Sequence, residues 1–242
     1  MDELKKRQDG VDAQLDREFA RRVDGVAANP AVVASVQAKL KTSLQPVTPQ
    51  ASPNVLAMQY LLAFAVFSAP FSGLAGTAGV RQMTALQIAA MVAILVGGAA
   101  LVSFSIAWQM SPGSLHQISP LLALVILVAG FLAIAAVCFP WGRRPDFVDH
   151  GWPCLTAGLI MASVSSVLFW GMVRRGRSLA TATFGGSLGA MAGLVGAAAL
   201  QIACNELQAT HLLVWHGGVV VIPLVLGSAL LWWRNERVQV GL

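Results

Sequence analysis

The sequence predicts an all-α, polytopic membrane protein of six transmembrane helices with an N-terminal cytoplasmic helical tail, and three observations carry that class. Of 242 residues, 56% are hydrophobic and only 11% charged, against about 25% charged in soluble domains. The mean hydropathy of +0.68 is too high for a chain that must face water. Charge is also unevenly spread: the first fifty residues hold fifteen of the 27 Lys, Arg, Asp and Glu side chains. The chain therefore divides into a cytoplasmic amphipathic tail and linker, 1–53, and a six-helix transmembrane domain, 54–242.

From Val55 onward, apolar runs approach the ~20 residues needed to cross ~30 Å of hydrocarbon. They place spans at 55–76, 86–108, 118–139, 154–173, 182–204 and 212–233. The breaks between them carry turn and charge signals: Gly76 to Arg81, Ser111-Pro112-Gly113, Pro140 to Pro153, Arg174 to Arg177, and Asn205 to His211. Strands are excluded, because unpaired backbone groups in lipid cost too much. Lys and Arg beside spans are retained on the cytoplasmic side. With the tail inside, thirteen of the sixteen basic residues fall there, leaving Arg81, Arg143 and Arg144 outside. Both termini are thus expected in the cytoplasm. The charged start has no apolar segment before a small-residue cleavage site, so the tail is expected to stay attached.

Two helical segments are expected in that tail. Val11, Leu15, Phe19 and Val23 recur at helical spacing on one face, with Asp12, Asp16, Arg17, Arg21 and Arg22 on others. Asn29-Pro30 supplies a cap and a first-turn proline for a second run carrying Val32, Val36 and Leu40. Pro46 to Pro53 reads as an extended linker. Stripes this short cannot build a core of their own, so they lie on lipid, pack on each other or bind a partner. Eight basic against seven acidic residues up to Gln50 favour a protein partner over a lipid surface, which selects for Lys and Arg. The sequence pI of 9.6 is explained by basic residues beside membrane spans, so no direct nucleic-acid contact is expected.

The topology sets Cys138, Cys154 and Cys204 at the outer face, together with His150, Glu206, His211 and His216. Soft and imidazole ligands on an oxidising side suit a disulfide or a transient soft metal ion; inert packing is the plain alternative, and is preferred for Cys138. Cys154 begins the fourth predicted span and Cys204 ends the fifth, on either side of the Arg174 to Arg177 turn, so they return to one depth. Helix axes normally lie ~8–10 Å apart, so a disulfide there demands a closer approach. The row Gly185, Gly189 and Gly193 offers a small-residue face for it. A metal site relaxes the distance and can add His150, His211, His216 or Glu206. No Walker loop or HExxH is present, so enzymatic function has no support and no cofactor is required. The predicted spans contain no Asp, Glu, Lys or Arg, which weakens a transporter reading; a thiol oxidoreductase would need electron exchange with a partner, and there is no CxxC.

Trp152-Pro153-Cys154, the Arg174-Arg175-Gly176 turn, the Gly-rich fifth span, Cys204 and the run from Leu212 to Val219 (LLVWHGGV) resemble the NrsF-like group (negative regulator of sigma F) of bacterial membrane anti-sigma factors. Leu44-Gln45-Pro46-Val47 is similar to the family's junction between tail and membrane. The resemblance spans about residues 40–235, its specific part being Trp152 to Trp233. It implies a six-helix inner-membrane protein whose cytoplasmic part sequesters an extracytoplasmic-function sigma factor. It further implies a sensory role for Cys154 and Cys204 toward metal or oxidant stress. The apolar stripe of the tail, Val11, Leu15, Phe19 and Val23 with Val32, Val36 and Leu40, is by its own helical spacing the expected sigma-binding surface. A small transporter or a thiol-redox membrane protein is the alternative.

Overall fold

The computed structural model describes Ser35 and residues 51–111, 119–142, 145–173 and 181–240, with side chains omitted at 71, 72, 74, 75 and 237–240. The tail stripe (Val11, Leu15, Phe19, Val23, Val32, Val36 and Leu40) and the Arg174 to Arg177 turn lie outside the described residues.

The described residues form helices joined by short turns, with no strand among them. Helix α1 runs Pro53–Ala75, the short α2 Ala78–Gln82, α3 Ala85–Met110, α4 Pro120–Cys138, α5 Phe147–Val173 and α6 Ala182–Ala203. The last span opens with one turn, α7 (Ala209–His211), passes through a π turn at Leu212–His216, and continues as α8 (Gly217–Val240). Six of these segments are long and apolar enough to cross a membrane, as the sequence predicts. Their outer faces carry Leu62, Leu86, Val125, Val137, Val167 and Leu230, all more than half exposed, and such a surface needs lipid rather than water around it.

Local sequence explains the helix ends. Thr84 and Gln87 form a capping box on α3: the Gln87 backbone N–H donates to Thr84 Oγ1 at 3.3 Å, and the Thr84 N–H donates to Gln87 Oε1 at 3.0 Å. Gln87 Nε2 also donates to the Cys138 carbonyl at 3.0 Å, tying the start of α3 to the end of α4. Ser119 caps α4 ahead of Pro120, and Thr181 caps α6. Gly76, with φ of +88°, takes the left-handed conformation that ends α1.

Two boundaries differ from the sequence reading. The fourth helix begins at Phe147 rather than 154, so Pro153 lies inside it. A proline in the second turn forfeits one backbone bond, and the helix continues around it, its first turn closed by His150 N–H donating to the Asp146 carbonyl at 3.1 Å. The sixth is helical from Ala209, three residues before the expected 212.

Helix α6 is the hub, buried at every residue from Phe184 to Gln201. Small residues make that enclosure geometrically feasible. The row Gly185, Gly189 and Gly193 faces the backbone of Gly227, Pro223 and Val219-Val220, all in α8. It therefore seats the sixth span rather than the fourth. The fourth approaches through a different pair, Gly196 of α6 against the Gly158 carbonyl of α5. Around this hub, Tyr60, Ile106, Leu127, Phe169, Phe184 and Met191 form the main core.

Buried polar groups inside the bundle bond to one another. Gln109 Nε2 donates to Ser105 O at 3.1 Å and to Ser187 Oγ at 3.4 Å, while Thr183 Oγ1 donates to Gln109 Oε1 at 3.3 Å. This knot ties the end of α3 to the start of α6. A smaller core joins Met91, Phe131, Ala135, Phe139, Ala209 and Leu212, and packs the start of the last span against α3 and α4.

Candidate functional site

At one end of the bundle four side chains converge: Cys154 from the second turn of α5, Cys204 immediately after α6, His211 from α7 and His216 from the end of the π turn. Their sulfur and ring-nitrogen atoms all lie within 4.8 Å of one another. The Cys154 and Cys204 sulfurs are 3.6 Å apart, and both cysteines are free thiols. Cys204 Sγ lies 3.5 Å from His211 Nε2. Both thiols are half-buried, whereas His211 and His216 are 2% and 1% exposed.

The antiparallel pairing of α5 and α6 brings the sulfurs together. Cys154 stands four residues before Gly158 and Cys204 eight residues after Gly196, so from the close Gly158–Gly196 contact both chains run toward the same end, on the same faces by helical spacing. Proximity of the histidines has another cause. An α-helix turns five residues through 500°, which would leave residues 211 and 216 about 140° apart. In the π turn the Gly217 N–H reaches back five residues to the Leu212 carbonyl. The wider turn returns residue 216 to the face of residue 211, and the two imidazoles meet edge to face with centroids 5.4 Å apart.

Partners outside the cluster fix its members. His216 Nδ1 sits 3.2 Å from Gln201 Oε1. An amide oxygen only accepts, so Nδ1 carries the proton and Nε2 holds the lone pair. That Nε2 is buried without a hydrogen-bond partner. Gln201 Nε2 in turn reaches Met83 Sδ at 3.8 Å. A Cβ on Gly79 would strike the carbonyls of Gln201 and Cys204, so α2 lies directly over the end of α6. Trp215, beside His216, packs onto Gly151 so closely that a Cβ there would overlap its indole; Phe147 stacks against the same ring at 5.4 Å. From the neighbouring connection, Pro140 accepts from the Ala209 N–H at 2.9 Å, and the Gly142 carbonyl accepts from Thr210 Oγ1.

The Cys204 thiol, one residue beyond α6, is held below its ordinary pKa, first by its hydrogen bond with Cys154 and then by that with His211. A pair of thiols against two imidazoles is a nucleophilic, soft-ligand site.

Not every residue singled out from sequence joins it. The His150 ring turns to Asp146, with Nδ1 2.8 Å from Oδ2; only its backbone carbonyl meets the Cys154 thiol, which donates to it at 3.8 Å. The i, i+4 spacing of Asp146 and His150 on the first turn of α5 is what captures the ring. Glu206 is likewise outside the four-ligand group. Cys138 packs beside the smaller core of Phe139 and Leu212 and is no member of the cluster. Sequence reasoning missed Gln201, whose only signal is a polar residue ending an apolar span, and Gly151, Gly158 and Gly196, each standing in place of a side chain that would collide.

The NrsF family model, described as negative regulator of sigma F, matches residues 40–234. No curated protein and no solved structure matches the chain. The matched stretch contains all six spans and all four converging side chains, and by this match the chain belongs to the NrsF family, whose name implies negative regulation of a sigma factor.

Proposed function

We propose that this chain is a membrane-embedded anti-sigma factor of the bacterial inner membrane, which sequesters an extracytoplasmic-function sigma factor through its cytoplasmic tail and releases it when Cys154 and Cys204, on the periplasmic side, meet a metal or oxidant. The observation that carries the sensing part is the convergence of two thiols and two buried imidazoles within 4.8 Å at one end of the bundle. Its sidedness is supported by helix direction: Cys154 lies near the start of α5, and the Arg174 to Arg177 segment follows the end of that helix at Val173, about 29 Å further along the helix axis. Basic residues mark the cytoplasmic face, which puts the thiols opposite.

The tail binds as an amphipathic helix laid in a groove, with Val11, Leu15, Phe19 and Val23 as anchors and Val32, Val36 and Leu40 extending the contact. Signal transfer requires an inducer that prefers one of two bundle states. The cluster is suited to that, because its four members come from α5, the end of α6 and the start of the last span: a Cys154–Cys204 disulfide would tie two of these elements, and a metal ion shared by all four side chains would tie three. The family's description as a negative regulator supports a regulatory role.

The test is co-purification of the full chain with the sigma factor encoded beside it, followed by challenge with Cd(II) or a thiol oxidant. Release by the challenge, lost in both Cys154→Ser and Cys204→Ser, is the expected result. A challenge response unchanged in both variants removes the sensor assignment, and failure of the full chain to bind any sigma factor removes the whole reading.

A further inference from the structure

We infer that Cys154, Cys204, His211 and His216 form one four-coordinate site for a thiophilic d10 divalent cation, Zn(II) or Cd(II), with Gln201 as the positioning residue behind His216. This rests on the sensing reading above and commits it to capture of a metal by four ligands instead of two.

The distances carry it. Tetrahedral bonds of ~2.3 Å to sulfur and ~2.05 Å to imidazole nitrogen place ligands ~3.8 Å apart for sulfur–sulfur and ~3.6 Å for sulfur–nitrogen edges. The Cys154–Cys204 separation is 3.6 Å and the Cys204–His211 separation 3.5 Å. Both match the edges of such a tetrahedron.

The second, independent observation is His216. Its side chain is fully enclosed, its Nε2 has no hydrogen-bond partner, and an orphaned buried acceptor of this kind calls for an explanation. Gln201 Oε1 accepts from Nδ1, fixing the tautomer that leaves Nε2 free to ligate. A hydrogen-bonded second nitrogen is the usual partner arrangement of a metal-bound histidine. With two sulfurs, two imidazoles and no carboxylate in the set, the donors favour borderline and soft cations over Mg(II) or Ca(II). Entry is through the half-buried thiols, and binding releases their protons to solvent. A bound ion would join α5, the end of α6 and the π turn in one coordination sphere.

The test uses the full-length chain, reduced and purified in detergent, titrated with Cd(II) for sulfur-to-metal charge transfer and with Co(II) for the intense ligand-field bands of a four-coordinate ion. One ion per chain is expected. His211→Ala and His216→Ala should each weaken Cd(II) binding at least 10-fold, Gln201→Ala by about 10- to 100-fold, and Cys138→Ser not at all. Should an alanine variant fail to fold, His216→Cys keeps a ligand at the position: it should bind one Cd(II) with stronger charge transfer. Absence of binding by the parent, or affinity unchanged in the His211→Ala/His216→Ala double variant, overturns the four-ligand site. Sigma release by a thiol oxidant, measured on the parent, is a separate readout, so the anti-sigma reading can stand while the metal site fails.

Discussion

Replacing Gly193 by alanine tests the contact on which the bundle is built. An added Cβ would sit 2.6 Å from the Val219 carbonyl oxygen and 2.7 Å from Val220 Cα, both backbone atoms of α8, while ordinary contact begins at 3.4 Å. No rotamer change can make room. The α6 and α8 backbones must separate by roughly 0.8 Å, the shortfall of the tighter contact from 3.4 Å, and overpacking of this kind costs about 1–3 kcal/mol. For a chain of this size each kcal/mol lowers the melting midpoint by roughly 2–4 °C, so a fall of about 2–12 °C is expected. The paired control is Gly97→Ala, where a Cβ meets nothing within 4 Å. Alanine's better helix propensity should leave that variant unchanged or stabilised by up to about 1 kcal/mol. Thermal melts of the detergent-purified protein, followed by helical circular dichroism, give both values. Equal midpoints for the two variants would refute the backbone-on-backbone packing of α6 and α8, and with it the argument that glycine spacing sets their separation.

Gly151→Ala should expel the Trp215 indole from its seat, lowering stability by about 1–3 kcal/mol. The loss should be smaller when Trp215→Ala is already present, a coupling that a double-mutant cycle of melting midpoints measures. Gln109→Leu removes the bonds to Ser187 and Thr183 and should cost about 1 kcal/mol, read from the same melts; a variant as stable as the parent would show that the polar knot is dispensable. Cys138→Ser, away from the four-ligand cluster, should leave inducer-dependent sigma release at the parental level, whereas Cys204→Ser should abolish it.

Much of the membrane domain was legible because lipid imposes a severe rule: each crossing must be a helix of about twenty apolar residues. The runs following Val55 and the polar breaks between them locate six helices whose cores agree with the structure. Caps such as Thr84 with Gln87 and Ser119 with Pro120 are equally local, since a helix end draws on neighbours within four residues. Pro153 misled the reading of the fourth helix for the same reason. A proline looks like a boundary when seen alone, and the structure continues the helix around it.

The candidate site was legible as a set of residue types at one depth, and no further. Periodicity ranks Gly185, Gly189 and Gly193 as a contact face without saying which helix it receives, because a small-residue row accepts any neighbour; the bundle gave it to α8. Likewise, His211 and His216 stand on different faces of any α-helix drawn from sequence, and only the π turn brings them together. His150 shares their level but is held by Asp146. Composition and spacing thus determined, by themselves, that the chain crosses a membrane six times and carries soft ligands at one end. Which ligands meet was decided by helix pairing and one locally widened turn, because metal-scale distances depend on rotation and separation between helices that are far apart in the chain.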